Sequence, residues 1–150
     1  MKKLFMLLMV TLVISSCNDD DIDLPDYHYE YLPIEEAIIP STFTLNETYD
    51  ITITYILPNE CYSFNSVSFE IDQEDETSRI LAVLTLVDDV TTCTEELITE
   101  EYTFEFTATQ EEEYTFKLWK GYDDEGESIF DEIIVPVVPV VIDTSIQELF

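Results

Sequence analysis

Between Tyr49 and Tyr55 every second residue is large and apolar. Tyr49, Ile51, Ile53 and Tyr55 alternate with Asp50, Thr52 and Thr54. A period of two describes a strand with one face on a core and the other in water. Tyr102 to Ala108 repeats the pattern, and so does Tyr114 to Leu118. Aromatic and β-branched side chains pack well on a pleated surface. No stretch keeps a helical period over three turns, so the chain is restricted to an all-β fold.

Further strands follow from the same signal. Their expected ranges are 34–39, 47–57, 63–71, 79–87, 101–109, 113–120 and 128–135. Pro58-Asn59-Glu60, the acidic run Asp72 to Glu76, Gln110-Glu111-Glu112, and the turn bracketed by Gly121 and Gly126 separate them. About seven short strands at this spacing predict an immunoglobulin-like antiparallel β-sandwich over 33–136, with a small barrel as the alternative. Ile80 to Val87 is nearly continuous apolar, which suits a strand that is central or covered on both faces. Trp119 has the opposite parity to Phe116 and Leu118, so it is expected to be partly exposed. Residues 137–150 are apolar but broken by Pro139, and read as an extended edge segment that frays at its end.

The N-terminus carries a different message. Lys2 and Lys3 precede a short apolar run from Leu4 to Ile14, and Ser15-Ser16-Cys17 closes it. A bilayer span takes about 20 apolar residues, so this run is short for a transmembrane anchor. It reads as a signal peptide over 1–16. Ile14-Ser15-Ser16-Cys17 resembles a lipobox, in which the cysteine is lipidated and begins the mature chain. Residues 17–32 then read as an acidic tether. Cys17-Asn18-Asp19-Asp20-Asp21 is similar to the start of lipoproteins from the Bacteroidota, where acids after the lipidated cysteine accompany export to the outer surface. That resemblance implies an outer-membrane protein, surface-displayed in preference to periplasmic.

Charge excludes several partners. The chain has 34 acids against 5 cations, a formal charge of −29. Removing 1–16 would take two lysines and no acid. Nucleic-acid binding needs clustered Lys and Arg, so that class is excluded, and so is docking on anionic lipid through a basic patch. Beyond Cys17 the cysteines are Cys61 and Cys93. In an exported domain such a pair predicts one disulfide, here tying two loops at one end of the sandwich.

Candidate chemistry is sparse. His28 is the only histidine and has no neighbouring nucleophile, so no catalytic set is expected around it. Tyr27, Tyr29 and Tyr31 read as a strand-like tether or an added edge. Asp123, Asp124, Glu125 and Glu127 could offer oxygen ligands to Ca²⁺, although the spacing is not that of an EF-hand and an acidic turn explains them as well. With two glycines in the chain, no phosphate loop exists. Tyr62, Trp119 and Tyr122 are candidate ligand-facing aromatics.

The run Ile39 to Phe43 through Tyr49-Asp50-Ile51, then Pro58 to Phe64, and Tyr114 to Gly121 with Phe130 and Val135-Pro136, resembles small flavobacterial lipoproteins of uncharacterised function. It is similar, more loosely, to the sandwich half of NigD-like lipoproteins. The resemblance implies a fold and a compartment and transfers no catalytic residue. The expected function is that of a non-enzymatic, membrane-anchored binding or accessory module. It would carry no cofactor beyond the lipid on Cys17, and its partner would be an envelope protein or a glycan. A carbohydrate-binding module using exposed aromatics is the alternative; a small enzyme, which would need a cleft, is the third reading.

Overall fold

A computed structural model describes residues 26–89 and 92–139. The signal segment, Cys17 and residues 140–150 lie outside the described residues. Among those described there are ten strands and no helix. In chain order they are β1 (Tyr27–Leu32), β2 (Ile34–Ile38), β3 (Phe43–Thr44), β4 (Thr48–Leu57), β5 (Tyr62–Ile71), β6 (Ser78–Asp88), β7 (Ile98–Thr107), β8 (Tyr114–Tyr122), β9 (Ser128–Val135) and β10 (Val137–Val138).

A five-stranded sheet contains β5, β6, β1, β8 and β9, and a three-stranded sheet runs β2-β4-β7. β6 is central, as its continuous apolar sequence suggests. β5 covers one of its edges from Arg79 to Val87. Its other edge is shared end to end by β8, along Ser78–Leu81, and β1, along Val83–Asp88. The two sheets enclose one core. Ile51, Ile53, Tyr55 and Phe106 from the smaller sheet meet Leu81, Val83, Phe116 and Leu118 from the larger. Phe43, fully buried on β3, packs against Tyr49 and Phe106 in tilted contacts and against Tyr114 and Phe116 edge-on.

The sandwich departs from an antiparallel set of about seven strands in three ways. First, β6 and β8 pair in parallel, as do β3 and β10. The chain leaves β6 for β7 in the opposite sheet and returns as β8, so β8 runs in the direction of β6. Second, the two-residue strands β3 and β10 are too short for any period to reveal. Val137–Val138 is thereby fixed beside Phe43–Thr44, at the head of the segment expected to be an extended edge. Third, the tether expected through residue 32 is too long. Tyr27–Leu32 is a strand, because β6 offers it a free edge, Thr85 Oγ1 donates to the Glu30 carbonyl at 2.9 Å, and Leu32 is buried in the core. The folded domain therefore starts before residue 33. Leu32 and Ile34, both buried, flank Pro33 where the chain passes from one sheet to the other.

Local chemistry fixes the corners. The hydroxyl of buried Tyr114 accepts from the backbone N–H groups of Thr109 (2.9 Å) and Gln110 (3.0 Å). A tyrosine opening a strand and holding the preceding turn in this way is the tyrosine corner of immunoglobulin-like sandwiches. The Cys61–Cys93 disulfide joins the β4–β5 loop to the β6–β7 loop, with Cα atoms 5.7 Å apart across a separation of 32 residues. Closing a loop of that length stabilises by about 3–4 kcal/mol in the chain-entropy picture.

All three described cations are engaged inside this framework. Arg79 lies over the Tyr114 ring at 5.1 Å and donates to the carbonyls of Glu76 and Ser78 and to Gln110 Oε1. Lys117 bonds Asp72 at 2.7 Å. Lys120 reaches across to the carbonyls of Ile34 and Glu35 on β2.

Candidate functional site

The two outer faces of the sandwich differ in kind. On the smaller sheet the outward residues are Thr48, Asp50, Thr52 and Thr54 of β4, facing Thr107, Glu105, Thr103 and Glu101 of β7. Cross-strand threonine pairs bond at 2.7 Å (Thr52–Thr103) and 2.9 Å (Thr48–Thr107). This is an ordinary solvated face.

On the larger sheet the outward side is aromatic and aliphatic. Tyr31 projects from β1, Trp119 and Tyr122 from β8, and Phe130 from β9 beside Trp119. Tyr31 and Trp119 have centroids 6.4 Å apart at 69°, and Trp119 and Tyr122 are 5.2 Å apart at 77°. Ile80 and Ala82 of β6 supply the floor, while Ser68, Glu70 and Ser128 supply the polar rim of a shallow groove of about 250 Å³. Ser68 donates to Glu70 at 3.2 Å, which orients that carboxylate. Tyr122 is 66% exposed and Tyr31 46%. Tyr29 and Tyr27 continue the aromatic row along β1.

Trp119 and Tyr122 share this face because of a bulge. Simple alternation would send them to opposite sides, since only Lys120 and Gly121 separate them. The register of β8 on β9 shifts between Trp119 and Gly121, and Gly121 takes φ of 113° there. L side chains rarely adopt that backbone conformation. The extra residue returns Tyr122 to the side of Trp119 and turns Lys120 toward β2.

The other sequence candidates fall elsewhere. Tyr62 is not in the groove. It pairs with Val87 on the inward side of the sheet and donates its hydroxyl to Glu30 at 2.8 Å. Burial, reinforced by that carboxylate, pushes its pKa up to about 12. His28 lies near it on β1. Its Nδ1 is 2.9 Å from an Asp89 oxygen and its Nε2 is 3.7 Å from Glu30. The Asp89 hydrogen bond, opposed by some desolvation, raises the imidazole pKa above its usual value.

The acidic turn is organised by its own backbone. One oxygen of Asp123 accepts from the N–H groups of Glu125 and Glu127, both at 2.9 Å. Asp124 is exposed beside it. Among the described residues no three His, Cys, Asp or Glu side chains converge as a metal set.

Of the three aromatics expected from sequence, the structure brings together Trp119 and Tyr122. Tyr31 and Phe130 belong to the same site and were not expected there. Phe130 carried no signal of its own, whereas the groove had left traces in β1 and β6. Tyr27, Tyr29 and Tyr31 share one parity, and β6 fails to alternate because its outward residues floor the groove.

No family model, no curated protein and no solved structure matches this chain.

Proposed function

We propose that this chain is a lipid-anchored outer-membrane lipoprotein, displayed at the cell surface. It acts there as a non-catalytic binding module through the outer face of its five-stranded sheet. The anchor reading rests on the lipobox-like run ending at Cys17 and the acids that follow. It also rests on the resemblance to flavobacterial lipoproteins. Export fits the Cys61–Cys93 disulfide, which forms in oxidising compartments.

One observation carries the binding reading. The sandwich has a threonine- and glutamate-rich face and, opposite it, an aromatic groove that no described residue covers. Solvated sheet faces gain nothing from exposed aromatics, whereas a concave aromatic surface with a few convergent polar groups is the form of a ligand site.

Residues 17–150 carrying Cys17→Ser, and so soluble, provide the test by sedimentation with envelope fragments of the producing bacterium. The expected result is co-sedimentation that Trp119→Ala and Tyr122→Ala each weaken by roughly tenfold, as loss of a central aromatic does. Both side chains are partly or well exposed, and a thermal melt verifies that the variants fold. Undiminished sedimentation of the double variant sinks the assignment of this face.

A further inference from the structure

We infer that the groove binds a neutral saccharide chain, a reading that rests on the binding-module assignment above. A pyranose ring has an apolar C–H face and an equatorial rim of hydroxyls. It is recognised where an aromatic face adjoins short hydroxyl and carboxylate groups. Trp119, Tyr122 and Tyr31 supply the faces, and Ser68, Glu70 and Ser128 stand beside them. Successive rings at 69° and 77° form a curved wall rather than a flat plate. Small Ala82 in the floor leaves depth for a ring edge. Tyrosine and tryptophan combine apolar area with a polar tip, which suits a ligand that is itself apolar on one side and hydroxylated on the other.

Charge decides the subclass. All three described cations are bound within the framework, the chain carries −29, and Glu70 stands at the groove itself. A field of that sign repels uronates and sulfated polymers before they reach the rings. A hydroxyl can donate to Glu70 without that penalty. A groove of about 250 Å³ suits a short stretch of sugar chain; a protein partner would need about 800 Å² on each side of an interface, which draws on the sheet beyond the groove.

The test has two arms. In native gels containing laminarin, mannan, dextran or galactomannan, at least one neutral polymer retards the soluble chain, and Trp119→Ala weakens the retardation by roughly tenfold. Polygalacturonate and chondroitin sulfate do not retard it. Trp119 is the only tryptophan, so its fluorescence reports occupancy directly. In the second arm, periodate treatment of the envelope fragments abolishes sedimentation and protease treatment does not. Retardation by anionic polymers alone, or by neutral polymers irrespective of Trp119, overturns the inference. So does sedimentation that still needs Trp119 but is lost to protease and survives periodate; that result keeps the binding module and replaces its ligand with a protein. Absence of sedimentation by the wild-type chain removes the binding reading and the saccharide together.

Discussion

His28 shows how a single residue acquires meaning only from its neighbours. In sequence it is a lone imidazole among acids. In the fold it links the start of the first strand to the end of the central one, through Asp89 and, more distantly, Glu30. These carboxylates raise its pKa above the ordinary value of 6.5. A raised folded-state pKa adds stability that is fully present below the unfolded value and is lost as pH rises through the folded one. The urea midpoint of the wild-type chain should therefore exceed that of His28→Gln below the ordinary imidazole value of about 6.5, and the gap should close as pH rises through the raised folded-state value. A gap independent of pH would show that the imidazole contributes shape alone. Tyr62 teaches the same lesson with the opposite functional result. Its sequence neighbourhood suggested a ligand contact, yet its hydroxyl is committed to Glu30. Which way an aromatic points depends on register, and register is set by pairing with another strand.

At the scale of elements, the seven strands expected from sequence were legible, six from a core-facing parity and β6 from its nearly continuous apolar run. Their expected and observed limits differ by at most a few residues. The first strand was legible only as a strand-like tether or an added edge: Tyr27, Tyr29 and Tyr31 alternate with His28 and Glu30, but the edge of β6 that orders it is formed far along the chain. The bulge in β8 was hidden outright, since Lys120-Gly121 reads as the end of a strand. That bulge is the element on which the groove depends. At Gly121 an added Cβ would meet nothing within 4 Å, so the cost of Gly121→Ala is backbone strain alone. It should lower stability by about 1–2 kcal/mol in urea unfolding, and it should also weaken envelope sedimentation by displacing Tyr122. Gly126→Ala, at φ of 85° in the adjoining turn, serves as the comparison. It should cost stability while leaving sedimentation intact. Equal loss of sedimentation in both would remove the bulge from the account of the site.

For the whole molecule, the acid excess fits the proposed anchor. Its described cations hold internal contacts, so the surface charge is left almost entirely to carboxylates, a composition that would keep a displayed domain soluble. Anchoring by several acyl chains is effectively stable where one chain is marginal. Replacing Cys17 with Ser should move the full-length chain out of the membrane fraction, read by fractionation of the envelope; retention as before would defeat the lipoprotein proposal. The sequence by itself determined that this chain is all-β and that its two later cysteines suffice for one disulfide, and it carries the proposals of an anchor at Cys17 and of a partner other than nucleic acid. These are local properties, carried by period, composition and short motifs. Only the tertiary structure decided that the two sheets have unlike outer faces and that Tyr31, Trp119, Tyr122 and Phe130 meet on one of them. Those residues come from three strands, and side chains distant in sequence become neighbours only through strand order and register.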